Sequence, residues 1–444
     1  MLRTDQLVRR AAFLVLAALI ALLPLGGCSV LKAAPIGPVT LRFAYRPGQV
    51  EMQPLLDAYM RDNPGIVVEA VELSDSTRPS LNRDLQEGKI DIVRDYRGSL
   101  YFQVRAGTFE PLDGMVEGGD WGKFRDDYFA GAWDGLKVDG VLYGVPAGLE
   151  MYVAYANLDA FESAFVEPPP VDWTLDDLVL YASQENQPEG TPGQAAGVVY
   201  GFGTYYLSVD PVILVYLRGG DLLDSYENPT TAYLNTTEAL EAVTFYTDLV
   251  TRYHLSPRPA LVGAYFRSGG MPYACAQGYC ALWFGMFSQR GGGTNVYGTI
   301  DNWDFNWKML PLPRGAQTIS LGDVDGYYIA SNSDNKQQAL KLVRYLADQW
   351  EASGVRFPVR KSHAADVRYI NKVGRQTAEI GSLAAENLVI LPQLYGRPGG
   401  FILGSFFNAI FRIIESHEDP QAALDSAQEE ITARLLGWQS EEED

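Results

Sequence analysis

Hydrophobic positions along the first third of the chain alternate between two periods. Residues 40–45 and 66–73 are predicted to be strands, because β-branched and apolar side chains recur there with the period of a strand. Residues 49–63 carry apolar side chains at helical spacing, and Asn63-Pro64-Gly65 predicts the end of that helix. A helix, a strand and a helix follow at 78–88, 90–93 and 100–106. Strands that alternate with helices predict an α/β domain with a largely parallel sheet.

The middle of the chain adds two local signals. Residues 137–144 predict a hairpin that turns at Asp139-Gly140. Thr174 begins a predicted helix at 173–184, and Asp177 three positions later is close to a capping box. Residues 256–280 show neither period and are predicted to be irregular. The remaining predicted strands are 150–156, 281–286, 307–312 and 326–330, and the remaining predicted helices are 211–217, 236–253, 336–350, 401–416 and 421–436.

The N-terminal segment indicates export. Basic residues precede an apolar run at 11–23, which is shorter than the roughly 20 residues that a membrane-spanning helix needs. This pattern predicts a signal peptide at 1–27. Leu25-Gly26-Gly27-Cys28 resembles the bacterial lipobox, which implies cleavage before Cys28 and diacylation of its thiol. Two acyl chains would hold the exported protein at the bacterial cell membrane through a tether at 28–38. A plain secretory signal and an uncleaved anchor helix are the alternatives.

Length and charge narrow the class of protein. Residues 28–444 are too many for one ordinary core and predict two domains. A hydrophobic content of 47% is that of a globular protein, and a net charge of −20 argues against nucleic-acid binding, which needs a basic surface. An acidic surface favours solubility and would attract cations weakly. The acidic tail at 439–444 is expected to fray.

The cysteines and histidines give no indication of a metal site or a cofactor. With Cys28 assigned to the lipid, Cys275 and Cys280 remain, and an oxidising compartment would allow them to pair. Two buried free thiols are the alternative. The three histidines are far apart in sequence, and no His/Cys spacing is typical of zinc. The acidic residues at 322–326 lack the ligand positions of a calcium loop.

Short motifs occur in a fixed order along the chain. They are 63–68 (Asn-Pro-Gly-Ile-Val-Val), 90–93 (Ile-Asp-Ile-Val), 139–146 (Asp-Gly-Val-Leu-Tyr-Gly-Val-Pro), 155–157 (Tyr-Ala-Asn), 266–269 (Phe-Arg-Ser-Gly), 310–313 (Leu-Pro-Leu-Pro), 325–329 (Asp-Gly-Tyr-Tyr-Ile) and 422–428 (Ala-Ala-Leu-Asp-Ser-Ala-Gln). Together they resemble extracellular solute-binding protein family 1, which contains maltose- and other sugar-binding proteins. Two departures are Ile90, which stands where the family has a proline, and an insertion that carries Cys275 and Cys280.

This resemblance implies a type II periplasmic-binding-protein-like fold, with two hinge-linked α/β domains and a ligand cleft between them. It further implies a monomer that captures a carbohydrate and delivers it to the permease subunits of an ABC importer. Crossings between the domains are expected near 146–150, 258–266 and 322–326. The expected first domain is 39–146 plus 267–322, and the expected second domain is 147–266 plus 323–438.

A sugar site needs polar groups for the hydroxyls and flat aromatic rings for the C–H faces. Glu150 is the strongest candidate, because it matches the position of a ligand-contacting glutamate in maltose-binding relatives; a hinge salt bridge is its alternative role. Asp95 and Tyr96 follow a strand where relatives place ligand contacts. Trp283 is a candidate stacking platform or a core residue. The full predicted set is Tyr45, Asp95, Tyr96, Glu150, Tyr205, Asp210, Trp283, Tyr327, Tyr395 and Arg397.

Other functions stay open at this stage. No nucleophile-elbow, zinc-protease or phosphate-loop motif is present, so an enzyme is not expected. Cleft carboxylates such as Asp95 and Glu150 could still serve a glycosidase. The same fold could act as a surface sensor or adhesin, and neighbouring permease genes would favour import instead. The ligand could also be a polyamine, a peptide or an anion.

Overall fold

The structure is a computed structural model. It describes residues 38–73, 80–117, 120–186, 200–204, 207–224, 229–266, 270–295, 298–300, 302–390 and 399–442. The predictions that concern Cys28, Tyr205, Tyr395 and Arg397 therefore lie outside the described residues.

Strands from both halves of the chain form one mixed sheet. The strands are β1 Val39–Tyr45, β2 Ile66–Glu72, β3 Ile92–Tyr96, β4 Lys137–Val138, β5 Val141–Leu142, β6 Gly144–Asn157, β7 Tyr200–Gly203, β8 Cys280–Met286, β9 Gly293–Asn295, β10 Gly298–Ile300, β11 Trp307–Leu310, β12 Ser320–Ile329 and β13 Leu388–Ile390. The sheet has the order β2-β1-β3-β12-β6-β8-β7, with β11 beside β6 and β13 beside β12. The pairs β4–β5 and β9–β10 are separate.

Helices connect these strands. They are α1 Gln53–Asp62, α2 Leu81–Gln86, α3 Leu100–Arg105, α4 Asp113–Val116, α5 Asp120–Asp126, α6 Leu158–Ala164, α7 Leu175–Glu185, α8 Asp210–Leu217, α9 Thr237–Thr251, α10 Pro259–Phe266, α11 Gly270–Ala276, α12 Lys336–Ala347, α13 Lys361–Ala364, α14 Val367–Val373, α15 Arg375–Glu386, α16 Gly399–Ser416 and α17 Pro420–Glu442. Among the described residues, none of the helices combines the length and apolarity that crossing a bilayer requires.

Several local predictions are confirmed. The hairpin pairs β4 with β5 through a two-residue turn, and Asp139 and Gly140 both have the positive φ values, 51° and 77°, that this kind of turn needs. Thr174 and Asp177 form a complete capping box at the start of α7. The prediction of irregular structure at 256–280 is wrong, because α10 and α11 lie there. Their prolines look like helix breakers in the sequence but stand in the first turns, where proline is tolerated.

Two long strands connect the halves of the molecule. Strand β6 pairs with β12 through residues 144–151 and with β8 through residues 152–156. The expected crossings at 146–150 and 322–326 lie opposite each other in this pairing, with a register shift between Asp325 and Gly326. The segment of the third expected crossing, 258–266, forms helix α10 rather than a strand, and its place between the domains stays a prediction.

The buried apolar residues form two clusters, and their membership differs from the expected domain division. Buried residues of 324–385 join the first cluster, although 323–438 was expected in the second domain. The physical reason is that β12 pairs with β3, which returns the following helix α12 to the first cluster. Residues 402–435 pack in the second cluster, and residues 267–322 contribute to both. The exact domain boundaries stay a prediction.

Candidate ligand-binding site

A cavity of about 280 Å³ opens beside the outer half of the sheet. It lies between the end of β7, the start of α8, helix α11 and strand β8, and the side chains of Gln289 and Trp303 complete its wall. We call it the tryptophan cavity because Trp283 and Trp303 both line it. The cavity is thus enclosed by the buried strands β7 and β8, the start of α8 and the short helix α11. Many α/β proteins have ligand sites between such elements.

One wall of the cavity is a set of interlocked aromatic rings. Trp283 stacks on Tyr155 with ring centroids 5.5 Å apart, and Trp303 meets both rings edge-on at 5.2 and 4.9 Å. The Tyr155 hydroxyl donates to the Met286 carbonyl at 2.8 Å, which fixes this ring against β8. Burial raises the pKa of Tyr155 far above its ordinary range, so the hydroxyl stays a donor. These contacts hold the two indole rings in place.

Several other lining residues of the cavity are polar. Asp210 is the first residue of α8, where a carboxylate is favoured by the helix dipole. Its Oδ2 accepts the Thr204 hydroxyl at 2.6 Å, and its N–H donates to the Ser208 hydroxyl at 3.2 Å. Gln289 adds an amide, whose Oε1 accepts the Met286 N–H at 3.0 Å. Among the described lining residues, Asp210 is the one that carries a formal charge.

The structure brings two of the predicted ligand residues together in this cavity, Asp210 and Trp283. The cavity is also lined by Thr204, Gln289 and Trp303, which were not predicted from the sequence. A signal for Trp303 was present, because Trp303, Phe305 and Trp307 alternate with polar residues at the period of a strand. Thr204 and Gln289 gave no local signal.

Glu150 lies in a buried group of charges that we call the arginine network, formed by Arg94, Glu150, Asp325 and Arg356. Each of these residues is at most 6% exposed. Arg356 contacts the Glu150 carboxylate, and its Nε donates to Asp325 Oδ2 at 3.1 Å. Arg94 Nη2 lies 3.4 Å from the same Asp325 oxygen. Two cations and two anions thus compensate one another at the crossing of β6 and β12.

Glu150 does not reach the tryptophan cavity. Its Oε1 accepts the Ser288 N–H at 3.0 Å, its Oε2 accepts the Ser288 hydroxyl, and Arg356 contacts the same carboxylate. Gly148 permits this arrangement, because a Cβ there would lie 2.7 Å from the Arg356 Cβ. The structure therefore gives Glu150 a salt bridge, its alternative role, and the ligand contact that the resemblance implied stays a prediction.

The other predicted ligand residues that the structure describes also lie away from the cavity. Asp95 is buried and its carboxylate accepts the Ser99 hydroxyl at 3.1 Å, in the turn after β3, and Tyr96 beside it is half-buried. Tyr45 is buried and stacks on Phe43 with centroids 5.8 Å apart, and the fully buried Tyr327 packs against the same ring. All four positions contribute to packing at strand ends or in the core.

Burial sets the protonation behaviour of the arginine network. Loss of water raises the pKa of Asp325 to about 7, while Arg94 opposes the rise and Asp323 adds to it. Loss of water also lowers the pKa of Arg356 to about 9, and the neighbouring Arg94 lowers it further. Asp323 follows the same rule, since burial raises its pKa and Arg97, 3.6 Å away, opposes the shift.

We expect Arg356→Met to lower the free energy of unfolding by about 3–5 kcal/mol, because it leaves Glu150 and Asp325 buried without their shared cation. Urea unfolding followed by tryptophan fluorescence measures the change. Arg368→Met is the matched control, because Arg368 is exposed and the loss of its ion pair with Asp366 should change stability little. Equal small losses for the two variants would contradict a structural role for the network.

The raised pKa of Asp325 predicts a pH-dependent stability. The carboxyl has an ordinary pKa of 3.8 and a folded pKa of about 7, so the folded state holds its proton more tightly. This contribution to stability is complete below the ordinary pKa and is lost as the pH rises through the folded pKa. The melting temperature of the wild type should therefore fall relative to that of Asp325→Asn between about pH 5 and about pH 8.

Thermal melts of both proteins across this pH range test the prediction. Asp366→Asn is the matched control, because hydrogen bonds from Arg368 lower the pKa of Asp366 to about 2, outside the range. A wild-type melting temperature that rises with pH relative to Asp325→Asn would show that the sign is wrong.

Comparison with known proteins identifies relatives of this chain. A candidate binding protein of Brucella abortus (strain 2308) is 26% identical over 326 residues, which cover 71% of this chain and 74% of that protein. An uncharacterized lipoprotein of Streptomyces antibioticus is 25% identical over 347 residues, which cover 75% of this chain and 72% of that protein.

Solved structures share the fold. The sugar-binding protein MalE from Xanthomonas citri matches with a TM-score of 0.73 at 17% identity, over 91% of this chain and 100% of that chain. An ABC substrate-binding protein from Listeria monocytogenes, in complex with cycloalternan, matches with a TM-score of 0.70 at 18% identity, over 90% of this chain and 99% of that chain. The predicted two-domain fold is thereby confirmed.

The family description itself covers most of the chain. The family of bacterial extracellular solute-binding proteins matches residues 55–377, which include both crossing strands and the described walls of the tryptophan cavity. The motifs between 63 and 329 pointed to this class of protein. The chain belongs to the bacterial extracellular solute-binding protein family.

Proposed function

We propose that this protein is the substrate-binding lipoprotein of an ABC importer and that it captures a sugar in the tryptophan cavity. The main observation in support of this proposal is that one cavity is lined by Trp283 and Trp303 and also by Thr204, Asp210 and Gln289. Indole faces can stack on the C–H faces of a sugar ring, while hydroxyl, carboxylate and amide groups can bond its hydroxyls. The sugars bound by the Xanthomonas and Listeria proteins support this assignment.

The size of the cavity favours a small ligand. Its volume of about 280 Å³ is near the lower end of the range for small-molecule sites, which starts at roughly 300 Å³. Domain closure would complete the enclosure, and the paired strands β6 and β12 are the elements about which it would occur. A glycosidase would need two carboxylates beside the scissile bond, whereas the described lining residues of the cavity supply one, that of Asp210.

A thermal-shift panel tests the binding proposal. The panel contains glucose, mannitol, tagatose, maltose and maltotetraose, with glucose 6-phosphate and spermidine as charged comparisons. A sugar at a hundredfold excess over its Kd should stabilise the folded state by about 2.7 kcal/mol. Trp303→Ala should weaken the binding of that sugar by about tenfold or more, because the substitution removes an aromatic face on which the sugar can stack. Phe165→Ala, at a fully exposed aromatic, is the control and should bind normally.

The outcomes separate the alternatives. A shift with spermidine or glucose 6-phosphate alone would overturn the sugar assignment, and release of a hydrolysed product would indicate an enzyme. Loss of uptake of the bound sugar in a strain that lacks this protein would support import. Binding without any effect on uptake would instead support a surface sensor or adhesin.

Anchoring through Cys28 is part of the same proposal, with the protein held at the outer face of the cytoplasmic membrane or on the periplasmic side. The sequence Leu25-Gly26-Gly27-Cys28 supports it, as does the relative that is named a lipoprotein. Metabolic labelling with an alkyne-bearing palmitate analogue should label the wild type and not Cys28→Ala. Cys275→Ala/Cys280→Ala is the matched control and should keep the label. An unlabelled wild type would refute the anchor.

A further inference from the structure

Three walls of the tryptophan cavity meet at one covalent bond. Cys275 lies on α11 and Cys280 is the first residue of β8, and the two are joined as a disulfide. Both cysteines are buried, with exposures of 3% and 0%. Cys275 lines the cavity, and β8 continues from Cys280 to the lining residue Trp283. The bond therefore ties the helical wall to the tryptophan wall.

The third wall meets the same sulfurs at Gly203, the last residue of β7. A Cβ at Gly203 would collide with the Sγ atoms of both cysteines, so the disulfide occupies the space that a side chain there would need. In the parallel pairing of β7 with β8, Gly203 is opposite Trp283, and Thr204 follows directly as a polar lining residue. The sulfur atoms are thus packed between the polar wall and the tryptophan wall.

The surroundings of the bond indicate a local role. The cysteines are five positions apart, and a short loop removes less entropy from the unfolded chain than a long one, so the bond adds comparatively little global stability. The turn between them has its own hydrogen bonds, from Tyr200 N–H to Tyr279 O at 2.7 Å and from Asn157 Nδ2 to Gly278 O at 3.2 Å. These bonds would hold the turn after reduction.

We propose that the Cys275–Cys280 disulfide is a positioning element for the ligand site, which holds α11 against β7 and β8 and so keeps the cavity in its binding shape. The inference rests on the proposed function. When a wall of the site is ordered before binding, the binding free energy does not have to offset the entropy lost in ordering that wall. The affinity is then higher. An exported protein can keep such a bond oxidised. The lining residues Met271 and Pro272 of α11 are the ones that would move away when the bond is cut.

Hydrogen exchange followed by mass spectrometry tests this in the full mature chain, held in detergent and without ligand. Tris(2-carboxyethyl)phosphine supplies two electrons and becomes the phosphine oxide, water supplies the oxygen and the protons, and the disulfide becomes two thiols. Alkylation of both thiols after the exchange reaction verifies the reduction. Reduction should speed exchange in Gly270–Ala276 and Cys280–Met286 and leave Val39–Tyr45 unchanged.

The same two samples are then titrated calorimetrically with the panel sugar that gave the largest thermal shift. Reduction should weaken the binding of that sugar by about tenfold, because one wall of the cavity would then have to be ordered on binding. Cys275→Ala/Cys280→Ala is the matched control for the reductant, because it should respond to the phosphine neither in exchange nor in affinity. A melting temperature that changes only slightly would separate this local effect from a loss of global stability.

Two results would overturn the proposal. Unchanged exchange and unchanged affinity after verified reduction would show that the bond does not position the wall. Faster exchange in Val39–Tyr45 as well would show that the bond supports the whole fold and not the cavity. If no panel sugar binds, the proposed function fails, but the exchange experiment still tests the disulfide. Exchange that stays unchanged, or that rises throughout the protein, overturns the positioning role. Faster exchange confined to the cavity walls supports the positioning role.

Discussion

The pairing of Arg356 with Glu150 and Asp325 is the constraint on which the rest of the structure depends. A buried guanidinium without its carboxylates, or the carboxylates without it, would cost more than the local packing returns. Glu150 lies on β6 and Asp325 on β12, the strands that run through both halves of the sheet. Arg356 fixes these strands to each other, and Arg94 extends the compensation to β3. These buried ion pairs therefore favour the observed register of the crossing strands.

The arginine network and the tryptophan cavity are neighbours along the chain. Ser288 donates two hydrogen bonds to Glu150, and the next residue, Gln289, lines the cavity. A movement of strand β6 at Glu150 would therefore reach the cavity wall at Gln289 through Ser288. In the proposed function, this proximity would couple domain closure to the cavity, and the disulfide would restrain the helical wall.

Most strands and many helices could be predicted because their signals are local. The period of β1, the turn at Asp139-Gly140 and the capping box of Thr174 each depend on residues within a few positions. Prediction failed where distant contacts decide the outcome. Helices α10 and α11 contain residues that discourage helices in isolation, and packing against neighbouring elements outweighs that preference. The return of 324–385 to the first cluster depends on the pairing of β12 with β3, which no local pattern encodes.

By itself the sequence determined the class of the protein, most of its strands, many of its helices, and two cavity residues, Asp210 and Trp283. It did so because hydrophobic periods, caps and ordered motifs are properties of short stretches. Only the tertiary structure decided that Glu150 neutralises Arg356, and that Trp303 and Gln289 join the cavity from other parts of the chain. A carboxylate has the same local sequence whether it faces a ligand or a buried arginine, and its partner is chosen by the fold.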